Sequence, residues 1–175
     1  MADLSTKTVA VICTHGFDDA EFAEPIKAVK DAGATVQVVA PKKETLEGKK
    51  GSTAEVDVTT ADAVGTDFDA VILPGGTGNA DKIRMDESAV EIVKKHVEAG
   101  KPLGVICHGG WILTDADVLR GKTVTSYSSI KTDLKNAGAN WVDEEVVVDG
   151  NIVSSRTPAD LEAFNKAIVE EFGKA

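Results

Sequence analysis

Nowhere does the chain hold an apolar run long enough to cross a bilayer, which excludes a helical membrane span at the level of sequence. Its first residues, MADLSTKTVAVIC, carry no basic region, no extended apolar stretch and no signal-cleavage pattern. Only two cysteines, Cys13 and Cys107, occur among 175 residues. Two cysteines make no disulfide framework, and their spacing is no zinc pattern. These absences predict a cytoplasmic protein whose thiols stay reduced. Aromatics are scarce, at 5%, so Ala, Val and Ile must fill the core. That favours a β-branched parallel sheet over an aromatic-rich sandwich. Cations are outnumbered, with 19 Lys and Arg against 29 Asp and Glu, a formal charge of -10. Such a surface repels phosphate backbones and argues against tight nucleic-acid binding.

What the chain does contain is alternation. TVAVICT (8–14) is a buried strand ending at the turn HGFDD, followed by a helical pattern from Glu21 to Ala32 and a second strand in AGATVQVVAP. FDAVILPGG (68–76) is a third strand stopped by Pro-Gly-Gly, and DESAVEIVKKHVEAG is a helix with an acidic start and a Gly stop. KPLGVIC (101–107) is a further strand, RGKTVTSY a short one, and EEVVVDGNIVSS a hairpin turning at Asp149-Gly150. TPADLEAFNKAIVEEFG closes the chain as a helix with Thr157 as N-cap and Pro158 at N1. The polar stretch KKETLEGKKGS (42–52) reads as a solvated loop without function. The pattern predicts one α/β domain over 1–175, a doubly wound, mostly parallel sheet with helices on both faces and a small C-terminal hairpin.

In such sheets ligands sit beyond the carboxyl ends of the strands. HGFDDAEFAE, PGGTGNAD and CHGG should therefore meet. Cys107 ends an apolar strand before His108-Gly109-Gly110, the setting of a nucleophile on a tight strand-to-helix turn. The free N–H groups and dipole of a helix start would lower its pKa. Gly109 satisfies half of the Gly-x-nucleophile-x-Gly pattern, while Val105 stands at the other position. Cys13 lies mid-run and reads as inert core. Gly75, Gly76 and the His108 N–H could form an oxyanion hole. Thr77-Gly78-Asn79 completes neither a phosphate loop nor a dinucleotide pattern.

The histidines are His15, His96 and His108 only. None lies far downstream of Cys107, which argues against an amidotransferase-type Cys-His-Glu triad. His108 is the first candidate base, although adjacent side chains meet only across a sharp turn. His96 reads as solvated, and His15 as close to the site. Asp18, Asp19, Glu21 and Glu24 crowd the first loop and helix. One of them could reach the sulfur, and the residues alone do not choose among them. Trp111 and Trp141 read as packing or interface residues.

Together, VICHGGWIL, the Pro-Gly-Gly turn, GFDDAEFAEP and the tail from LRGKTVTSY through NAGANWVDEEVVVDG to TPADLEAF resemble the DJ-1/PfpI superfamily. The likeness runs over essentially the whole chain and is greatest to the PfpI-like branch of intracellular proteases and general stress proteins. It implies a flavodoxin-like fold and a homo-oligomer, dimer or hexamer, with the site near a subunit interface. By position, Cys107 matches the family nucleophile, His108 its neighbouring base and Glu21 the glutamate at the sulfur. Asp18 falls where relatives carry another acid, and Asp81 near an acid that completes a Cys-His-acid triad across an interface. Tyr127 stands where the DJ-1 branch has a histidine and is expected to line the pocket. Gly110 and Trp111 depart from the Pro-Gln that relatives often show, so Trp111 should narrow the pocket or pack on a neighbour.

The resulting expectation is a stress-protective enzyme needing no cofactor and no metal. It would act through a Cys107 thiolate on methylglyoxal-type carbonyls or glycated side chains. The alternatives are an intracellular cysteine peptidase or amidase using the same residues, and a non-enzymatic redox sensor or holdase whose Cys107 oxidises.

Overall fold

The structure, a computed structural model, describes residues 2–175. In chain order its elements are β1 (Thr8–Ile12), α1 (Asp19–Asp31), β2 (Thr35–Ala40), β3 (Thr45–Glu47), β4 (Thr53–Glu55), β5 (Val58–Thr59) and α2 (Thr60–Ala63). Then come β6 (Ala70–Leu73), α3 (Thr77–Ile83), α4 (Glu87–Glu98), β7 (Leu103–Ile106), α5 (Trp111–Asp115) and β8 (Thr123–Val124). The chain closes with α6 (Lys131–Asn136), β9 (Asn140–Trp141), β10 (Val146–Asp149), β11 (Ile152–Ser155) and α7 (Leu161–Lys174).

Seven strands form one sheet in the order β10-β11-β7-β6-β1-β2-β5. Every neighbouring pair is parallel except the β10–β11 hairpin. The period-two alternation of strand side chains divides the core in two. From β1, Ala10 and Ile12 enter one apolar cluster and Val9 and Val11 the other. Ile92 and Val93 of α4, Ile112 of α5 and Leu134 of α6 close the first. Val29 of α1 and Phe164, Ile168 and Phe172 of α7 close the second. Gly104, in the middle of β7, lets α7 approach: a Cβ there would lie 2.7 Å from Ile168 Cγ2. The fold is thus the mixed α/β, mostly parallel arrangement that the alternation predicts.

Three local expectations need correction, and one short strand pairs apart from the main sheet. The stretch 42–52 is no free loop, since it contains β3 and most of the turn into β4, an antiparallel hairpin folded back on the site. The short strand expected in RGKTVTSY is present as β8, which pairs with β9 in a separate two-stranded parallel sheet. The closing helix is preceded by a 3-10 turn (Pro158–Asp160), and the Thr157 side chain makes no capping hydrogen bond. His96 is buried rather than solvated. It lies on the core side of α4, where its Nε2 meets the Pro102 carbonyl at 2.8 Å. Burial therefore depresses its pKa.

Candidate active site

The chain passes from β1 to β2 on one side of the sheet and then returns to β6 on the other side of β1. Loops leaving β1 and β6 diverge there, which opens a crevice at the carboxyl ends of the strands. The turn after β7 supplies its third wall. Asn79, almost wholly buried, ties the loops together. Its Nδ2 donates to the carbonyls of Pro74 (3.1 Å) and Gly75 (3.0 Å), and its Oδ1 accepts from Thr14 N at 2.7 Å. In the sequence this asparagine stands only as part of an incomplete phosphate-loop pattern.

Cys107 follows β7 directly and adopts φ 62. A left-handed backbone costs a non-glycine residue about 1–2 kcal/mol and persists only where its surroundings enforce it. The enforcement is visible on both sides of the turn. Tyr127 N–H donates to the Cys107 carbonyl at 3.2 Å. Gly109 sits so close to β6 that a Cβ would fall 2.7 Å from the Leu73 carbonyl oxygen. The reversal brings adjacent side chains together, placing Cys107 Sγ 3.4 Å from His108 Nδ1.

Glu21, fully buried in α1, faces the same sulfur region. Gly75 N–H donates to its Oε1 at 2.9 Å, whereas Oε2 is buried without a hydrogen-bond partner among the described residues. Burial first, then the charge of Asp18, pushes the Glu21 carboxyl up to about 7. Burial first, then the charge of Glu21, pushes the Cys107 thiol up to about 12. This reverses the expectation of a lowered thiol pKa. The His108 backbone N–H does pull the sulfur toward thiolate, but desolvation and the nearby carboxylate outweigh it. Two desolvated anions so close do not coexist, so the pair keeps at least one proton through neutral pH.

The His108 ring stacks on Tyr127 at 4.9 Å and meets the edge of Trp111 at 5.3 Å. Its Nε2 lies 3.1 Å from Ser129 Oγ. If Nδ1 is to accept the thiol proton, Nε2 must carry hydrogen and donate to Ser129. Ser129 was not singled out by the sequence, because it joins the site from a turn more than twenty residues downstream. Trp111 packs outward, its Nε1 donating to Asp133 at 2.9 Å and Arg84 lying over its ring.

The cavity above Cys107 measures about 400 Å3 and is lined by Asp18, Glu21, Gly76, His108 and Tyr127, and also by Lys49. Asp18 caps α1, its Oδ1 accepting from Ala20 N and Glu21 N, while its Oδ2 pairs with Lys49 Nζ at 3.2 Å. Lys49 sits in the turn between β3 and β4. Asp19 anchors that turn by accepting from Lys50 N and Ser52 N, and His15 does so by accepting from Glu47 N. His15 is thereby held outside the cavity, 3.3 Å from Glu44. A larger recess of about 630 Å3 beside α1 and α7 contains neither cysteine and neither His108 nor Glu21.

Gly75 and Asp81 lie outside the cavity lining. Gly75 N–H is committed to Glu21, so it cannot serve an oxyanion; Gly76 N–H makes no hydrogen bond among the described residues, and Gly76 and His108 both line the cavity. Gly76 needs its glycine, at φ 90, because a Cβ would fall 2.3 Å from the Gly16 carbonyl oxygen. Asp81 is exposed and does not line the cavity, because α3 buries Asn79, Ala80 and Ile83 instead.

The family model for the DJ-1/PfpI family matches residues 7–171. YraA of Bacillus subtilis, whose name assigns it provisionally to the cysteine proteases, is 46% identical over 92% of this chain and 95% of its own. A deglycase of Pyrococcus abyssi is 45% identical over 93% and 97%. The crystal structure of Drosophila melanogaster DJ-1beta superposes with a TM-score of 0.89 at 29% identity, over 97% of this chain and 91% of that one.

Proposed function

The chain belongs to the DJ-1/PfpI family, and from that premise we propose that it is a Cys107-dependent enzyme acting on reactive carbonyl adducts, of deglycase or glyoxalase type. The observation that carries the reading is the contact of Cys107 Sγ with His108 Nδ1 at 3.4 Å on a strained turn. In a methylglyoxal adduct the amine nitrogen and a hydroxyl share one carbon. Sγ displaces the amine from that carbon, and His108 passes the thiol proton to the leaving nitrogen. The hemithioacetal left on sulfur then isomerises. A proton leaves its carbinol carbon and returns to the neighbouring carbon, turning S–CH(OH)–CO–CH3 into the thioester S–CO–CH(OH)–CH3. Water hydrolyses the thioester to lactate and free thiol. Carbon oxidation and reduction balance within the substrate, so no external oxidant or reductant is consumed. Gly76 N–H and His108 N–H are the donors we assign to the oxyanion.

His108 suits this role because burial, then the Lys49 charge, depresses its pKa and so favours the neutral imidazole, the form that can accept a proton. A cavity of about 400 Å3 accommodates a three-carbon adduct at the end of one side chain. The resemblance to PfpI-like proteins adds a homo-oligomer to the reading, in which an acid such as Asp81 approaches His108 of a second copy.

Steady-state kinetics of the parent and Cys107→Ser proteins on free methylglyoxal, methylglyoxal-treated amino acids and a peptide panel test the proposal. Lactate release by the parent and none by the variant is expected. A variant that clears methylglyoxal at the parent rate would sink it. Acyl-enzyme formation on peptides without adduct turnover would replace it with the peptidase reading.

A further inference from the structure

A second cavity of about 240 Å3 adjoins the one above Cys107. The two share Tyr127 and Thr157 as walls, so the recess at Arg156 lies beside the one over the sulfur. Arg156 is a cation held in advance. Its Nε and Nη2 donate to the two oxygens of Asp160 at 2.9 and 3.0 Å, and its backbone N–H donates to the same carboxylate at 3.0 Å. Asp160 is only 3% exposed, so this fork fixes the guanidinium plane. One arm remains: Nη1 donates to Asp143 at 3.0 Å, and that side chain is 71% exposed. Solvent screens such a pair, and a competing carboxylate can displace it.

Thr157 provides a second, independent sign. It stands directly before the 3-10 turn, where a threonine ordinarily caps, yet its side chain makes no capping bond. Its place is instead in the wall common to both cavities.

We propose that the recess at Arg156 is a subsite for a substrate carboxylate, the α-carboxylate of a glycated amino acid or of a glycated C-terminal residue. The carboxylate takes the position at Nη1 now held by Asp143, with the Thr157 hydroxyl donating to its second oxygen. The assignment deepens the reading of Cys107 as a carbonyl-adduct enzyme and rests on it for its consequence, a preference for free amino acids and chain ends over internal side chains.

The test compares the methylglyoxal adducts of Nα-acetyl-lysine and Nα-acetyl-lysinamide, which differ only in the carboxylate. The parent protein should show a KM about tenfold lower for the carboxylate, the effect of one charge-assisted hydrogen bond, with similar kcat. Asp143→Asn, which removes the competitor and leaves Asp160 in place, should lower that KM further and leave the amide unchanged. Arg156→Lys should raise the carboxylate KM to the amide's value. Equal KM values in the parent protein, with no response to Asp143→Asn, overturn the subsite while leaving the parent reading intact. Absence of turnover on both adducts overturns the parent reading instead. Binding itself is then followed by titrating Cys107→Ser with Nα-acetyl-lysine and watching the Arg156 Nε–H resonance. A saturable shift absent with the amide supports the subsite, and no shift overturns it.

Discussion

Cys13 and Cys107 follow two parallel strands of one sheet, separated only by β6. Both pack into the same apolar cluster, and both thiols are pushed up to about 12. Burial and acidity therefore do not distinguish them. Backbone and neighbours do. Cys13 prolongs its strand, donating to the Val39 carbonyl at 3.1 Å, and burial alone raises its thiol. Cys107 reverses the chain at φ 62 and meets an imidazole and a carboxyl group. The contrast teaches that a thiol becomes a candidate nucleophile through the groups that can take its proton, and that a strained turn is what delivers those groups.

The largest test of this contrast is to remove each sulfur in turn. Cys107→Ser should lower kcat at least 10^3-fold, about 4 kcal/mol of transition-state stabilisation. Cys13→Ser should leave kcat within about twofold and instead cost roughly 1–3 kcal/mol in urea unfolding, because it buries a hydroxyl among apolar side chains. Equal losses of activity would dissolve the distinction.

Next in size is Glu21, which touches only one of the two sites. Its carboxyl is raised from 4.5 to about 7, which corresponds to about 3 kcal/mol. A raised acid favours the folded state fully below its unfolded pKa. The advantage is lost as pH climbs from 4.5 to about 7, because the unfolded chain ionises first. Relative to Glu21→Gln, the parent protein should therefore lose stability across that window and run parallel above it. Denaturant midpoints at pH 4, 5, 6, 7 and 8 measure this; parallel curves throughout would refute the buried, protonated glutamate.

Asn79→Ala should cost about 2 kcal/mol of stability and about tenfold in kcat, since it leaves the Pro74 and Gly75 carbonyls and Thr14 N–H without their shared partner. The smallest expected effect is at Ser129. Ser129→Ala should lower kcat by less than about tenfold with KM unchanged, and Ser129→Thr should restore it, because the hydroxyl holds one imidazole tautomer at an exposed position. The 15N shifts of the His108 ring report that tautomer directly.

Much of the scaffold was legible in order. Apolar runs alternating with amphipathic ones gave strands and helices near their observed places, and the sharp turn at Cys107 was foreseen from Gly109. The four acids of the first loop were not separable, however. Asp18, Asp19, Glu21 and Glu24 differ in sequence by a step or two, but helical rotation sends Asp18 to a cap, Asp19 to the β3–β4 turn, Glu21 to the sulfur and Glu24 to solvent. Lys49 was missed because its stretch looks like any charged loop. Ser129 was missed because nothing local marks it.

By itself, the sequence determined what local pattern can encode: the parallel sheet, the turn that lifts Cys107, and the His108 beside it. Tertiary structure alone decided which distant groups share that turn. It committed Gly75 N–H to Glu21, brought Lys49 to Asp18, and set Asp81 on the exposed side of α3. The physical reason is that side-chain meetings across the sheet depend on helix rotation and loop closure, and these are set by burying two apolar faces at once.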